Sequence, residues 1–154
     1  MTVIAATTRE QHKALVEWAA ARIPHVEPRD LAVGQAFAVM KGDRMQAVVV
    51  YHSYSARWST IQVTAASDTR LWAHPDNLKA VLQYPFDVAQ VNKLWTATPI
   101  DLEAVWRFDL HLGMKREAVL RDQFGPKRHA VICSMMKREW RKSRWFVGEA
   151  NGHR

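Results

Sequence analysis

Apolar positions along the chain alternate between a period of two and a period of three to four, and the switches mark out the elements. Residues 2–7 begin with β-branched side chains and predict a first strand. Thr8 is placed to cap a helix, with Gln11 at the capping-box position three residues on. Leu15, Trp18, Ala19 and Ile23 then recur at helical spacing until Pro24 stops the run. Residues 35–40 and 45–53 read as two strands joined by the turn Lys41-Gly42-Asp43-Arg44. The run Val48-Val49-Val50 is apolar without alternation, which predicts a central strand covered on both faces. Residues 60–66 form a fourth strand, broken by Ser67-Asp68-Thr69.

Pro75 suits the first position of a helix through Leu78, Val81 and Leu82 that ends before Tyr84-Pro85-Phe86. Residues 93–98 predict a fifth strand. Asp101 is placed to cap a helix with Leu102, Val105, Trp106 and Leu110 on its inner side. Gly113 then reads as a C-cap that takes a left-handed backbone without a Cβ penalty. Two strands come next, residues 114–121 and 129–136, around a turn at Gly125-Pro126, and a basic helix over residues 137–145 ends the series.

Composition narrows the class. The 154 residues suffice for one core and predict a single domain, 1–154, with residues 137–154 as a basic helix and tail. No apolar run approaches membrane-spanning length and there is no signal-peptide layout, so a cytoplasmic protein without membrane partners is expected. The single cysteine, Cys133, excludes an internal disulfide. A formal net charge of +7 favours an anionic partner, whether cofactor, nucleic acid or acidic protein.

The stretch Leu112-Gly113-Met114-Lys115-Arg116-Glu117-Ala118, taken with the order strand, helix, three strands, helix, strand, helix, strand, strand, resembles the GNAT superfamily of N-acyltransferases. In that family the corresponding motif reads Leu-Gly-Phe-x-x-Glu-Gly. Tyr84-Pro85-Phe86, Arg121 and Met135-Met136-Lys137-Arg138-Glu139-Trp140 are similar to a subgroup common in bacteriophage and prophage genomes. The resemblance implies an α/β fold with a mixed, mostly antiparallel sheet of six to seven strands flanked by helices. Two strands would splay apart at a cofactor cleft. It also implies acyl transfer from acetyl-coenzyme A to an amine acceptor that the sequence does not name. The rival reading keeps the fold without the chemistry, as a virion component or host-directed binding module in the virion or host cytoplasm. Oligomers are open to either reading.

Under the resemblance, the backbone of Val63, Thr64 and Ala65 would face the pantetheine amides. The diphosphate cradle, Gln/Arg-x-x-Gly-x-Gly/Ala in the family, corresponds to Arg70-Leu71-Trp72-Ala73-His74-Pro75. Arg70 matches, Ala73 replaces a glycine and Pro75 offers no N–H; the same residues also read as a loop before a proline-initiated helix. Leu102, beside Asp101, occupies the place of a cofactor-holding asparagine, and Cys133 that of a tyrosine that protonates the leaving thiolate. From the residues themselves, His52 and Tyr54 at the end of the third strand are acid–base candidates near the acceptor's entry. His74 falls at the cradle position, and Asp101, His111 and Glu117 lie near the cleft ends. Cys133 and His129 share a strand face, a nucleophile–base arrangement or a plain buried thiol. No His, Cys or carboxylate group has metal-ligand spacing. The segment from Lys137 to Trp145 reads either as a helix docked by its tryptophans or as a basic aromatic surface for nucleic acid.

Overall fold

A computed structural model describes residues 1–148; the end of the expected C-terminal tail, residues 149–154, lies outside them. Seven strands form one mixed sheet in the order β1-β2-β3-β4-β5-β7-β6. They are β1 (Thr2–Ala5), β2 (Gly34–Lys41), β3 (Arg44–Ser55), β4 (Thr60–Ser67), β5 (Lys93–Pro99), β6 (Lys115–Leu120) and β7 (Ala130–Met136). Every neighbouring pair is antiparallel except β4 and β5. The mixed seven-stranded sheet matches the fold expected from the sequence.

Helix α1 (Arg9–Ala20) covers one face over β2 and β3, burying Leu15, Val16 and Ala19 against Val48 and Val50. Thr8 caps it by accepting from the Gln11 N–H, while the Gln11 side chain reaches the Thr7 N–H rather than that of Thr8. The opposite face carries α2 (Pro75–Gln83), α3 (Glu103–His111) and α4 (Lys137–Arg141), packed over Val49, Tyr51, Ile61, Leu94 and Val131. Covered from both sides, the valine run of β3 is as buried as its lack of alternation requires.

Helix α2 ends at Gln83, before Tyr84-Pro85-Phe86 as expected, and the chain runs on as one π-turn, Tyr84–Val88, which seats Phe86 on Trp140 with ring centroids 5.0 Å apart. Three expectations are corrected. Asp101 does not cap α3: Leu102 holds the N-cap position without a side-chain bond, because Asp101 is drawn into a bidentate pair with Arg128. Val105 and Leu110 are exposed; the inner stripe of α3 runs through Leu102, Trp106 and Asp109 instead. The basic helix is only five residues long, since the Ser143 hydroxyl donates to the Trp140 carbonyl where the next turn would form. Trp140 and Trp145 both lie in the core, and Trp145 Nε1 donates to the Leu112 carbonyl at 2.7 Å. No aromatic surface remains on these two residues for nucleic acid to stack on.

Gly113 has φ 101°, as its place after α3 requires, and a Cβ there would meet only Met135 Cε at 3.8 Å. The cost of a side chain is therefore one of backbone conformation. Gly113→Ala is expected to lower unfolding stability by about 1–2 kcal/mol in urea titrations; an unchanged midpoint would contradict the C-cap reading.

Candidate active site at the parting of two strands

Strands β4 and β5 share only three rungs, Thr60↔Lys93, Ile61↔Leu94 and Gln62↔Trp95. Beyond them β4 stays with β3 as far as Ser67↔Ala47, and β5 stays with β7 as far as Pro99↔Ala130. Each strand is held on its outer side, so from Val63 and Thr96 onward two inner edges of the sheet face each other unpaired. Backbone groups along such edges need partners. An extended ligand carrying amides can supply them as an added strand does. Val63, Thr64 and Ala65 lie on this open edge, and so do Thr96, Ala97 and Thr98.

On the α1 side the parting opens into a cleft of about 350 Å³, lined among others by His25, Asp30, His52, Gln62, Thr64 and Phe124. Three separate segments build it. The connection from α1 to β2 supplies His25 and Asp30, the bulged end of β3 supplies His52, and the loop between β6 and β7 supplies Phe124. The bulge is visible as a register shift between His52↔Gln62 and Ser55↔Thr60, with Ser53 at φ 54°. One extra residue there reverses the facing of the side chains after it. Tyr54 therefore leaves the face of His52 and stands 55% exposed, outside the cleft. Gly34, opposite His52, permits the close approach of β2, since a Cβ there would stand 2.0 Å from the Tyr51 carbonyl oxygen.

His52 is 6% exposed, with Nε2 2.8 Å from Thr64 Oγ1 and Nδ1 3.0 Å from Ser53 Oγ. Burial lowers its pKa to about 4, against a weaker opposing pull from Asp30, so the ring is neutral. His25 stands edge-on to Phe124 at 5.0 Å, and its Nδ1 is buried without a hydrogen-bond partner among the described residues. Its pKa is lowered by burial first and by Arg128 second, with Asp101 and Asp30 opposing. The Asp101–Arg128 pair does more than bind two charges: the Phe124 N–H donates to the Arg128 carbonyl, so the pair fixes the loop that lays Phe124 against His25.

The other candidates fall elsewhere. Cys133 is 0% exposed and burial raises its thiol to about 11, which corrects the reading of it as a reacting group. His129 lies before the start of β7, with Nδ1 accepting from the Asp122 N–H, and is no partner for Cys133. Glu117 is tied to Lys93 at 2.8 Å and accepts from Ser134 Oγ at 2.6 Å. His111 is exposed at the end of α3, and Leu102 is half-buried at its start. Arg70 and Ala73 bound a short 3₁₀ turn before α2, whose first turn is capped by the His74 ring. Among the described residues no cluster of His, Cys, Asp or Glu could hold a metal ion, and no helix is long and apolar enough to cross a membrane.

Sequence reasoning missed His25, Gln62, Phe124 and Asp109. For Asp109 a signal existed: a carboxylate three residues after Trp106, in the inner stripe. It is 7% exposed, accepts from Thr96 Oγ1 at 2.9 Å, and has its pKa raised by burial to about 6.

No protein-family model matches the sequence, and no curated protein does. Solved structures match across most of the chain. A point mutant of the spermidine N-acetyltransferase SpeG from Vibrio cholerae superposes with a TM-score of 0.71 at 11% identity, over 90% of this chain and 95% of that one. The dodecameric structure of the Vibrio cholerae spermidine N-acetyltransferase gives 0.70 at 12% identity over the same shares. A crystal structure named provisionally as an acetyltransferase gives 0.68 at 19% identity, over 91% and 88%. This chain has the GNAT fold. At these identities the likeness carries architecture alone, and the chemistry must be argued from the cleft.

The two buried groups make opposite contributions to stability. The pKa of His52 falls on folding, so its contribution is complete above the ordinary histidine value of 6.5 and is lost as pH falls toward about 4. Asp109 rises on folding, so its contribution is complete below 3.8 and is lost as pH rises through about 6. Between pH 7 and pH 4.5 wild type should lose roughly 2–3 kcal/mol through His52 that His52→Gln does not lose. Asp109→Asn should gain stability relative to wild type at pH 7 and not at pH 4. Urea titrations at the two pH values check both signs, and parallel pH curves for all three proteins would contradict the assignment.

Proposed function

We propose that the chain is an N-acyltransferase moving an acetyl group from a thioester to a primary amine. The parting of β4 and β5 above a cleft with two neutral histidines is the observation that carries this reading. It gives the thioester arm and the amine separate approaches to one point. Open-edge N–H groups of β4 can polarise the thioester carbonyl as charge develops on it. The amine enters from the His25 side and loses its proton as the C–N bond forms.

His25 is the better proton acceptor of the two histidines. Its Nδ1 is unpartnered among the described residues, whereas both nitrogens of His52 are engaged and its low pKa makes it a weak base. His52 is assigned a positioning role, holding Thr64 at the open edge. The motifs Tyr84-Pro85-Phe86 and Met135-Met136-Lys137-Arg138-Glu139-Trp140 support a phage or prophage type. The rival, a fold kept for binding virion or host proteins, has one observation in its favour: the first turn of α2 is already capped, by His74.

The test is thiol release from acetyl thioesters in the presence of a panel of primary amines. His25→Phe, which keeps the contact with Phe124, should cut turnover by about 10²–10⁴-fold. His52→Gln should cost less than about tenfold under the same assay, as expected of a residue that is not the base. Wild-type turnover should fall in acid, as His25 gains its proton, at a pH lower than for an ordinary histidine because burial lowers its pKa. Folded protein that neither binds a thioester nor releases thiol with any amine would decide for the binding module.

A further inference from the structure

Coenzyme A, the donor that the fold implies, has two chemically distinct parts, and this chain fits only one of them. The thioester-bearing pantetheine arm carries two amides and matches the unpaired edges from Val63 on β4 and Thr96 on β5. The nucleotide carries a diphosphate, which needs free N–H donors at the helix start that comes after β4. That start is α2, and its donors are already used or missing. Pro75 has none. The Asp76 N–H donates to His74 Nδ1 at 3.2 Å, and the Asn77 N–H to the His74 carbonyl at 2.9 Å. Before the helix, the Leu71 N–H donates to Thr69 Oγ1 at 3.2 Å, and Asn77 Nδ2 donates to the Trp72 carbonyl at 2.8 Å, which ties the connection to α2.

Charge points the same way. The Asp76 carboxylate stands 84% exposed in the first turn of α2, 3.8 Å from His74 Nδ1. It places a negative charge at the positive end of the helix, where a phosphate would otherwise gain from the dipole. Of the family's two small positions, Ala73 keeps a small side chain, but Pro75 offers no N–H to a diphosphate. Arg70 is exposed and can meet one phosphate, but a lone surface arginine is a weak anchor.

We propose that the acyl donor is an S-acyl pantetheine arm recognised without a nucleotide, either free or carried as a phosphopantetheinyl group on a protein. The proposal rests on the acyl-transfer reading and narrows its donor. The step balances without a redox partner: the acyl C–S bond breaks and the C–N bond forms. The sulfur leaves as a thiol with one proton, and the amine gives up one proton.

The experiment is calorimetric titration of the full chain with S-acetylpantetheine, acetyl-coenzyme A and an acetylated phosphopantetheinyl carrier protein, with adenosine 3′,5′-bisphosphate as competitor. S-acetylpantetheine and acetyl-coenzyme A should bind within about threefold of each other, with no competition from the bisphosphate. Arg70→Ala should change neither affinity more than about twofold. Binding of the acylated carrier alone also supports the proposal and identifies the protein-borne source. Acetyl-coenzyme A binding about thirtyfold or more tightly than the free arm, with competition by the bisphosphate, would overturn the proposal and leave acyl transfer standing. If none of the three thioesters binds, the donor proposal and acyl transfer fall together.

Discussion

The architecture depends on how unequally the two central strands are shared. β4 has eight residues and β5 seven, yet they exchange only three rungs, while each pairs along its length with its outer neighbour. Closing the gap would mean moving β3 or β7, and both are set in the core by Val48, Val50, Val131 and Met135. Open backbone edges inside a sheet are costly unless something pairs with them. The packing that stabilises each half of the sheet thus keeps an open slot between the halves. Everything on the cleft side is arranged around that slot, from the bulge after His52 to the ion pair that steadies the Phe124 loop.

Burial in the same region controls ionisation. His52 and His25 are held neutral because a charged imidazole would lose more hydration than its surroundings return, and Asp109 on the other face holds its proton more readily for the same reason. Under the proposed reaction, a neutral histidine suits an acceptor that reacts as a free amine and leaves as an amide. Much of the chain's positive charge lies outside this region, on side chains such as Arg57, Arg107 and Arg144 that stack on tryptophans.

Where local chemistry decides structure, the sequence could be read directly. Thr8 at the start of α1, Gly42 in the hairpin, Pro75 at the start of α2 and Gly113 after α3 each sit where their backbone preferences require. The departures were decided by tertiary contacts. Asp101 had a competing partner in Arg128, far along the chain, and the last helix was cut short by a serine hydroxyl and two tryptophans seeking the core. Tyr54 was misplaced because a single-residue bulge leaves no mark in an alternating pattern. The cleft itself was the least legible part. His25, His52 and Phe124 come from three distant segments, and none has a motif around it.

The central claim is that the slot between β4 and β5 binds the thioester arm. Its most direct test is amide chemical-shift mapping of ¹⁵N-labelled protein titrated with a non-reactive pantetheine thioether. The account predicts perturbations concentrated at residues 63–66 and 96–98, with smaller effects at His25 and His52. Perturbations confined to residues 70–76 or spread over the outer strands, with residues 63–66 unmoved, would contradict it.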